Sequence, residues 1–373
     1  MRWLSVVAAM TTLFFVAPYA EASVEFEELL PPAGERSVSA WAVNEAGQAV
    51  GAAHSTGDAL RWDGAANPVR VGSSLGIGVN GRGDVLTYLR LNTVGPLLYS
   101  IAVWENGQEV DRSPQGRLTV PFSVRDINDS GVVPVGYRHN SDGGGYETTR
   151  GGTWRNGRFA DLPFPKATKV AHRVVNTKGT TAGSLTPLDG TGNFAFRCSA
   201  TTCTRLPAAG PAGTHDASAL NESDVLAGTW WSVEPRSSRA VVWNGTAVTV
   251  LPGVNAGVAD NPRAINERGD VVGRHEVDGV RKPALWRGGR LVDLGATGTG
   301  EAVAVNDRGD VAGWHTTADG VRPFFWHAGT LTDLRTPNDL PSKASGLNNA
   351  GVVIGTAEQF GPPSRAYRWT VRY

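Results

Sequence analysis

An apolar residue followed by Asn-x-x-Gly recurs eight times along this chain of 373 residues, at intervals of 36 to 48 residues. The Asn positions are Asn44, Asn80, Asn128, Asn176, Asn221, Asn266, Asn306 and Asn348. Gly stands three residues later in seven of them (Gly47, Gly83, Gly131, Gly179, Gly269, Gly309, Gly351), and Asp224 takes that place in the fifth. Periods of roughly 40 to 50 residues mark one supersecondary unit copied around a ring or along an array.

The seventh unit shows what is copied. Residues 301–306 alternate in period two as a strand does. Asn306-Asp-Arg-Gly309 follows as a tight turn, in which Asn bonds its own backbone and Gly accepts a left-handed conformation. Residues 310–315 return as a second strand, Arg322-Pro-Phe-Phe-Trp326 reads as a third, and Leu331-Thr-Asp-Leu334 as a fourth. Four antiparallel strands of this size make a propeller blade. The third strand ends in Trp in seven units (Trp62, Trp104, Trp154, Trp243, Trp286, Trp326, Trp369) and in Phe196 in one. An aromatic at one fixed place in every repeat reads as a wedge between blades before it reads as a ligand platform.

The ends argue for closure. The eighth unit stops at Tyr373, where its fourth strand is missing, and residues 25–30 resemble that strand. An N-terminal strand completing the last blade removes both sheet edges. The expected fold is therefore all-β: a single closed β-propeller of eight four-stranded blades over residues 23–373. An open solenoid would need polar caps, and an outer-membrane barrel would need longer strands with an apolar outer face.

Residues 1–22 read as a secretory signal peptide. A basic start (Arg2) precedes an apolar run over residues 4–17, too short to span a bilayer, and then Ala20-Glu-Ala22. The mature chain is expected to be secreted, extracellular or periplasmic, with cleavage near Ala22 and no transmembrane segment. Charge is balanced, with 35 basic and 35 acidic residues and no block of one sign. Nucleic acid is therefore not an expected partner, since phosphate binding needs a basic stripe. The two cysteines, Cys198 and Cys203, read as a disulfide across one hairpin, and no metal site or cofactor is expected around them.

The repeat resembles the HAF-repeat family of bacterial extracellular proteins, whose units run apolar-Asn-x-x-Gly-x-Val-x-Gly, then a Trp-ended strand, then Leu-x-x-Leu. Ala264-Ile-Asn-Glu-Arg-Gly-Asp-Val-Val-Gly273 and Ala304-Val-Asn-Asp-Arg-Gly-Asp-Val-Ala-Gly313 carry the likeness, followed by Pro283-Ala-Leu-Trp286 and Pro323-Phe-Phe-Trp326. The His-Ala-Phe triplet itself is absent; Arg239-Ala240 and Arg365-Ala366 stand in its place. The resemblance implies a secreted propeller and brings no catalytic residues with it.

No Walker loop, dinucleotide fingerprint, His-Glu-x-x-His or Gly-x-Ser-x-Gly is present. Ser141-Asp142-Gly-Gly-Gly145 has too few oxygen ligands for a calcium loop. Six histidines (His54, His139, His172, His215, His275, His315) are expected to border one face, and His327 the other. The sharper signal comes from residues that break the innermost-strand pattern. Arg125, Arg173 and Arg263 share one register three before Asn, Asp126 replaces a small residue, and His172 lies nearby. Asp216 and Glu301 are expected near the same mouth, with His215, Trp230 and Trp231 beside it. These could form a structural ion-pair network or a polar pocket with aromatic walls. The expected function is a binding or interaction module presenting a site for a polar small molecule, glycan or protein. The alternatives are a carbohydrate-active hydrolase or lyase using Asp126, His172, Asp216 and Glu301, and a structural envelope protein that binds other proteins.

Overall fold

The computed structural model describes residues 23–373 except 65–66, 73, 91–98, 106–107, 112–118, 122–123, 140–147, 157, 165–166, 191, 200–201, 234–235, 254–259 and 358–362. The signal-peptide segment and the stretch 141–145 lie outside the described residues.

The strands group into eight blades around an axis. Six blades are separate four-stranded antiparallel sheets, and blades three and four merge into one sheet through the single pair Thr149↔Ala167. Blade seven comprises Gly300–Val305, Val311–Thr317, Gly320–His327 and Thr330–Asp333, close to the sequence reading. The N-terminal strand Ser23–Leu29 pairs with Arg365–Arg372, outside Val352–Ala357 and Ser342–Leu347, and so completes blade eight.

The repeated Asn does more than shape its own turn. Its Oδ1 accepts the backbone N–H four residues on in every blade, at 2.8–3.0 Å. Its Nδ2 donates to the backbone carbonyl of the corresponding Asn in the next blade, at 2.8–3.3 Å. The last of these runs from Asn348 to Asn44, so eight identical bonds close a circle. A carboxamide carries its donor and its acceptor on two separate atoms of one short side chain, whereas a carboxylate lacks the donor and a hydroxyl offers both from a single atom, which suits Asn to bonding two blades at once. The turn Gly at Asn+3 has positive φ in all seven cases, and Asp224 adopts φ +62° in the fifth.

The second Gly of the motif, at Asn+7, has a different cause. In seven innermost strands the register shifts by one residue at Asn−3, a β-bulge. The bulge drives the innermost backbone against the second strand: a Cβ on Gly51, Gly183, Gly228, Gly273, Gly313 or Gly355 would lie 1.8–2.3 Å from a backbone oxygen. Blade two carries Thr87 there, paired with Gly76 beside its bulge, and blade three carries Val135, with residues 124–127 not paired as a strand. Bulges re-aim side chains, and here each one re-aims the Asn−3 residue.

Aromatic wedges fill the spaces between blades. Trp62, Trp154, Trp243, Trp286, Trp326, Trp369 and Phe196 are all 0–3 % exposed. Trp62, Trp243, Trp286 and Trp369 each donate Nε1–H to a carbonyl of the chain entering from the preceding blade (Leu30, Pro207, Pro252, Arg335). Trp104 is half-buried instead, with the Arg61 guanidinium over its ring at 4.5 Å. Cys198 and Cys203 face each other across Phe194–Ser199 and Thr202–Arg205 and form the disulfide.

Candidate functional site

The innermost strands surround the axis, and the residues at Asn−3 form a belt along them. In blade order they are Trp41, Ile77, Arg125, Arg173, Ser218, Arg263, Val303 and Ser345. Blades three to six supply three guanidinium groups and a hydroxyl, whereas blades one, two and seven carry Trp41, Ile77 and Val303, of which Ile77 and Val303 pack against the core between blades. The sequence reading passed over Trp41. Only the bulge, which shifts the strand's alternation by one residue, assigns it to the belt.

Four belt residues reach the next blade by one rule. Ser218 Oγ donates to Pro262 O at 3.0 Å and Ser345 Oγ to Ala40 O at 2.7 Å. Arg173 Nη1 donates to Asp216 Oδ2 at 2.7 Å, and Arg263 Nε lies 3.4 Å from Glu301 Oε1. In both ion pairs the Arg stands at Asn−3 and the acid at Asn−5 of the following blade. For Arg125 that partner position holds Ala171. Arg125 accordingly makes no hydrogen bond or ion pair among the described residues.

Arg125 nevertheless senses both pairs. Crowding in the channel and repulsion from Arg263 and Arg173 lower its pKa, while Asp216 and Glu301 oppose the shift. Blades three and seven are opposite each other in a ring of eight, so an Arg125–Glu301 interaction must cross the axis. The cluster holds three cations and two anions, and the surplus charge is on Arg125. Asp216 keeps one oxygen, Oδ1, buried without a hydrogen bond.

The structure separates the remaining sequence candidates from this belt. Asp126 Oδ2 accepts the N–H of Val175 in blade four at 3.2 Å, and Oδ1 accepts Ile127 N–H at 3.0 Å, so it clamps two backbones. Burial raises its pKa to about 6 against those two bonds. His172 is fully buried, donates Nδ1–H to Gly152 O at 2.8 Å and packs on Phe196. Burial lowers its pKa to about 4, so its ring is neutral at pH 7. His215 Nε2 accepts Ala209 N–H at 2.9 Å, and its ring stacks on Trp230. Trp230 in turn donates to Ala212 O and packs closely against Gly210 and Gly213. Both hold the loop entering blade five, and Trp231 is 42 % exposed beside them. His54 bonds Ser37 and Ser39, His315 bonds Asp333, and His327 bonds Asp310. The side chain of His139 lies outside the described residues.

The mouth at the Asn turns has the opposite sign. The backbone N–H of each Asn+1 residue donates to the Asn+1 side chain of the next blade in six links, such as Glu267 to Asp307 and Asn349 to Glu45. Glu45, Asp129, Glu222, Glu267 and Asp307 therefore ring that mouth.

No protein-family model matches the chain, and no curated protein does. Solved structures resemble its fold. A dipeptidyl peptidase 4 from Porphyromonas gingivalis aligns at TM-score 0.53 and 10 % identity, covering 87 % of this chain and 64 % of that one. A puromycin-hydrolyzing peptidase from Mycobacterium tuberculosis aligns at 0.51 and 13 %, covering 88 % and 58 %. A virginiamycin B lyase from Staphylococcus aureus aligns at 0.49 and 10 %, covering 94 % and 99 %. The chain thus spans less than two thirds of either peptidase, and at these identities the likeness is one of fold alone.

Proposed function

We propose that this protein is a secreted binding module of the HAF-repeat type whose axial belt takes a carboxylate-bearing ligand, such as a uronic-acid glycan. The observation that carries this reading is Arg125, an exposed arginine of the axial belt whose partner position in the next blade is Ala171. An incoming carboxylate would supply the missing charge through a charge-assisted, two-pronged hydrogen bond. Half-buried Trp41 stands at the same position in blade one, and an aromatic face suits the apolar side of a pyranose ring. Fold does not decide between binding and catalysis. Asp216 and Glu301 are each tied to an arginine, while Asp126 and His172 are engaged elsewhere, and this favours binding over acid–base work. A disulfide, and the lack of any described helix long and apolar enough to cross a membrane, are compatible with secretion.

The test compares uronate polymers with neutral glucans on the chain from Ser23 onward, with product analysis of every hit. Acidic polymers should bind, more weakly as salt rises, and Arg125→Gln and Trp41→Ala should each abolish binding. Arg125→Gln should also raise the melting temperature slightly at low salt, because it removes a cation flanked by two others. Equal binding of acidic and neutral polymers, or full binding by Arg125→Gln, would overturn the reading. Turnover of a hit would replace it with the enzyme reading.

A further inference from the structure

Blades six and seven place the same three residue types at the same positions and use them differently. At Asn+9, Asn+16 and Asn+27 blade seven carries His315, Arg322 and Asp333, and blade six carries His275, Lys282 and Asp293. In blade seven the chain satisfies all three. His315 Nε2 is 2.8 Å from Asp333 Oδ1, and its Nδ1 accepts Thr297 N–H at 3.4 Å. Arg322 donates to Asp339 O at 2.8 Å and pairs with Asp339 Oδ1 at 3.2 Å.

In blade six none of these bonds forms among the described residues, and Gly257, the counterpart of Thr297, lies outside them. A cavity of about 290 Å³ lies instead against His275, Lys282 and Asp293, walled by Val277, Pro283, Leu291, Val292 and Ala296. His275 is 8 % exposed, yet neither ring nitrogen has a hydrogen-bond partner among the described residues, and Nδ1 is wholly inaccessible. Lys282 likewise has no hydrogen bond or ion pair among them. Asp293 accepts only Gly295 N–H, through Oδ1. Nδ1 is the enclosed nitrogen, whereas Nε2 is not among the buried unpartnered atoms and is open to a bond from a molecule in the cavity, whose lining also carries Lys282 and Asp293. Burial and Lys282 lower the pKa of His275 while Asp293 opposes them, so all three groups share one electrostatic neighbourhood and the ring is neutral at pH 7.

We propose that this cavity is a second binding site, separate from the axial belt, for a small aliphatic α-amino acid. Its carboxylate would meet Lys282, its ammonium Asp293, and its side chain the wall of Val277, Pro283, Leu291 and Val292. Neutral His275 hydrogen-bonds the polar end through Nε2. The volume lies at the small end of ligand pockets, which run from roughly 300 to 1,000 Å³, and so excludes a glycan chain.

L-leucine is the probe, read by the NMR shift of the His275 Cε1–H resonance. Isoamylamine and 4-methylpentanoate, each lacking one of the two charges, are the controls. L-leucine should give a saturable shift, with each control and both Lys282→Met and Asp293→Asn weaker by at least about tenfold, equivalent to about 1.4 kcal/mol. Neither substituted residue is in the core, so both variants should fold. Arg125→Gln should leave this affinity unchanged, which separates failure here from failure of the axial site. Absence of a saturable shift, equal binding of either control, or unaltered affinity in Lys282→Met would each overturn the proposal.

Discussion

Asn348 is the most direct test of the carboxamide circle, because its amide joins the last blade to the first. Asn348→Ala removes three hydrogen bonds from a site only 2 % exposed: donation to Asn44 O at 3.0 Å, and acceptance from Ala350 N–H at 3.0 Å and Val352 N–H at 2.9 Å. A net hydrogen bond contributes about 1 kcal/mol, and a buried group left without its partner costs about 1–3 kcal/mol. Ala350 lies at an exposed turn and can recover water, and Asn44 O keeps the Gly47 N–H at 3.0 Å, whereas Val352 N–H is enclosed and loses its partner. The expected loss is therefore about 2–4 kcal/mol. Asn348→Asp separates the two functions of the side chain. It keeps the acceptor and sets an oxygen against the Asn44 carbonyl. The folded pKa of that carboxyl is then raised above its unfolded value of about 3.9. A raised folded pKa means that the variant is most stable below the unfolded value and loses stability as pH rises through the folded one. Urea midpoints at constant m for wild type and both variants across that range give the free energies. An Ala variant within about 1 kcal/mol of wild type, or an Asp variant whose deficit does not grow with pH, would refute the reasoning.

Two further outcomes follow from the same geometry. Gly355→Ala places a methyl 2.3 Å from Lys343 O; it should cost about 3 kcal/mol or more, and a melting temperature near that of wild type would show that the bulge needs no glycine opposite it. Burial pushes the carboxyls of Asp126 and of Asp260, at the entry to blade six, up to about 6; two backbone N–H bonds to Asp126 oppose this, whereas neither oxygen of Asp260 has a hydrogen-bond partner among the described residues. Both folded values exceed the unfolded one, so stability attributable to these groups is complete below pH ~4 and falls toward pH ~6, by at most about 1.4 kcal/mol per pH unit for each. Asp126→Asn and Asp260→Asn should each flatten that slope in urea midpoints, and a slope that neither changes would contradict the assignment.

Much of the architecture was legible in the chain because it is written in local periodicity. The spacing of the Asn-x-x-Gly turns set the number of blades, the missing last strand located its substitute at residues 25–30, where the structure has Ser23–Leu29, and Cys198 and Cys203 sat close enough to pair. The seven buried wedges followed from an aromatic at a fixed place; Trp104, half-buried, is the exception. The site was legible only as a list. Arg125, Arg173 and Arg263 share a register in sequence, but which of them finds a carboxylate depends on the residue at Asn−5 of the next blade, 43 and 38 residues away for Asp216 and Glu301. The bulge, which no local pattern announces, falls at Trp41 in blade one, and His172 beside Arg173 points instead into the core. The sequence by itself determined the repeat, the turn and the closure, since each depends on residues a few positions apart or on the alternation of one strand. Only the tertiary structure decided the circle of carboxamide bonds, the unpaired Arg125 and the cavity at His275, because those depend on contacts between blades that meet only once the ring is closed.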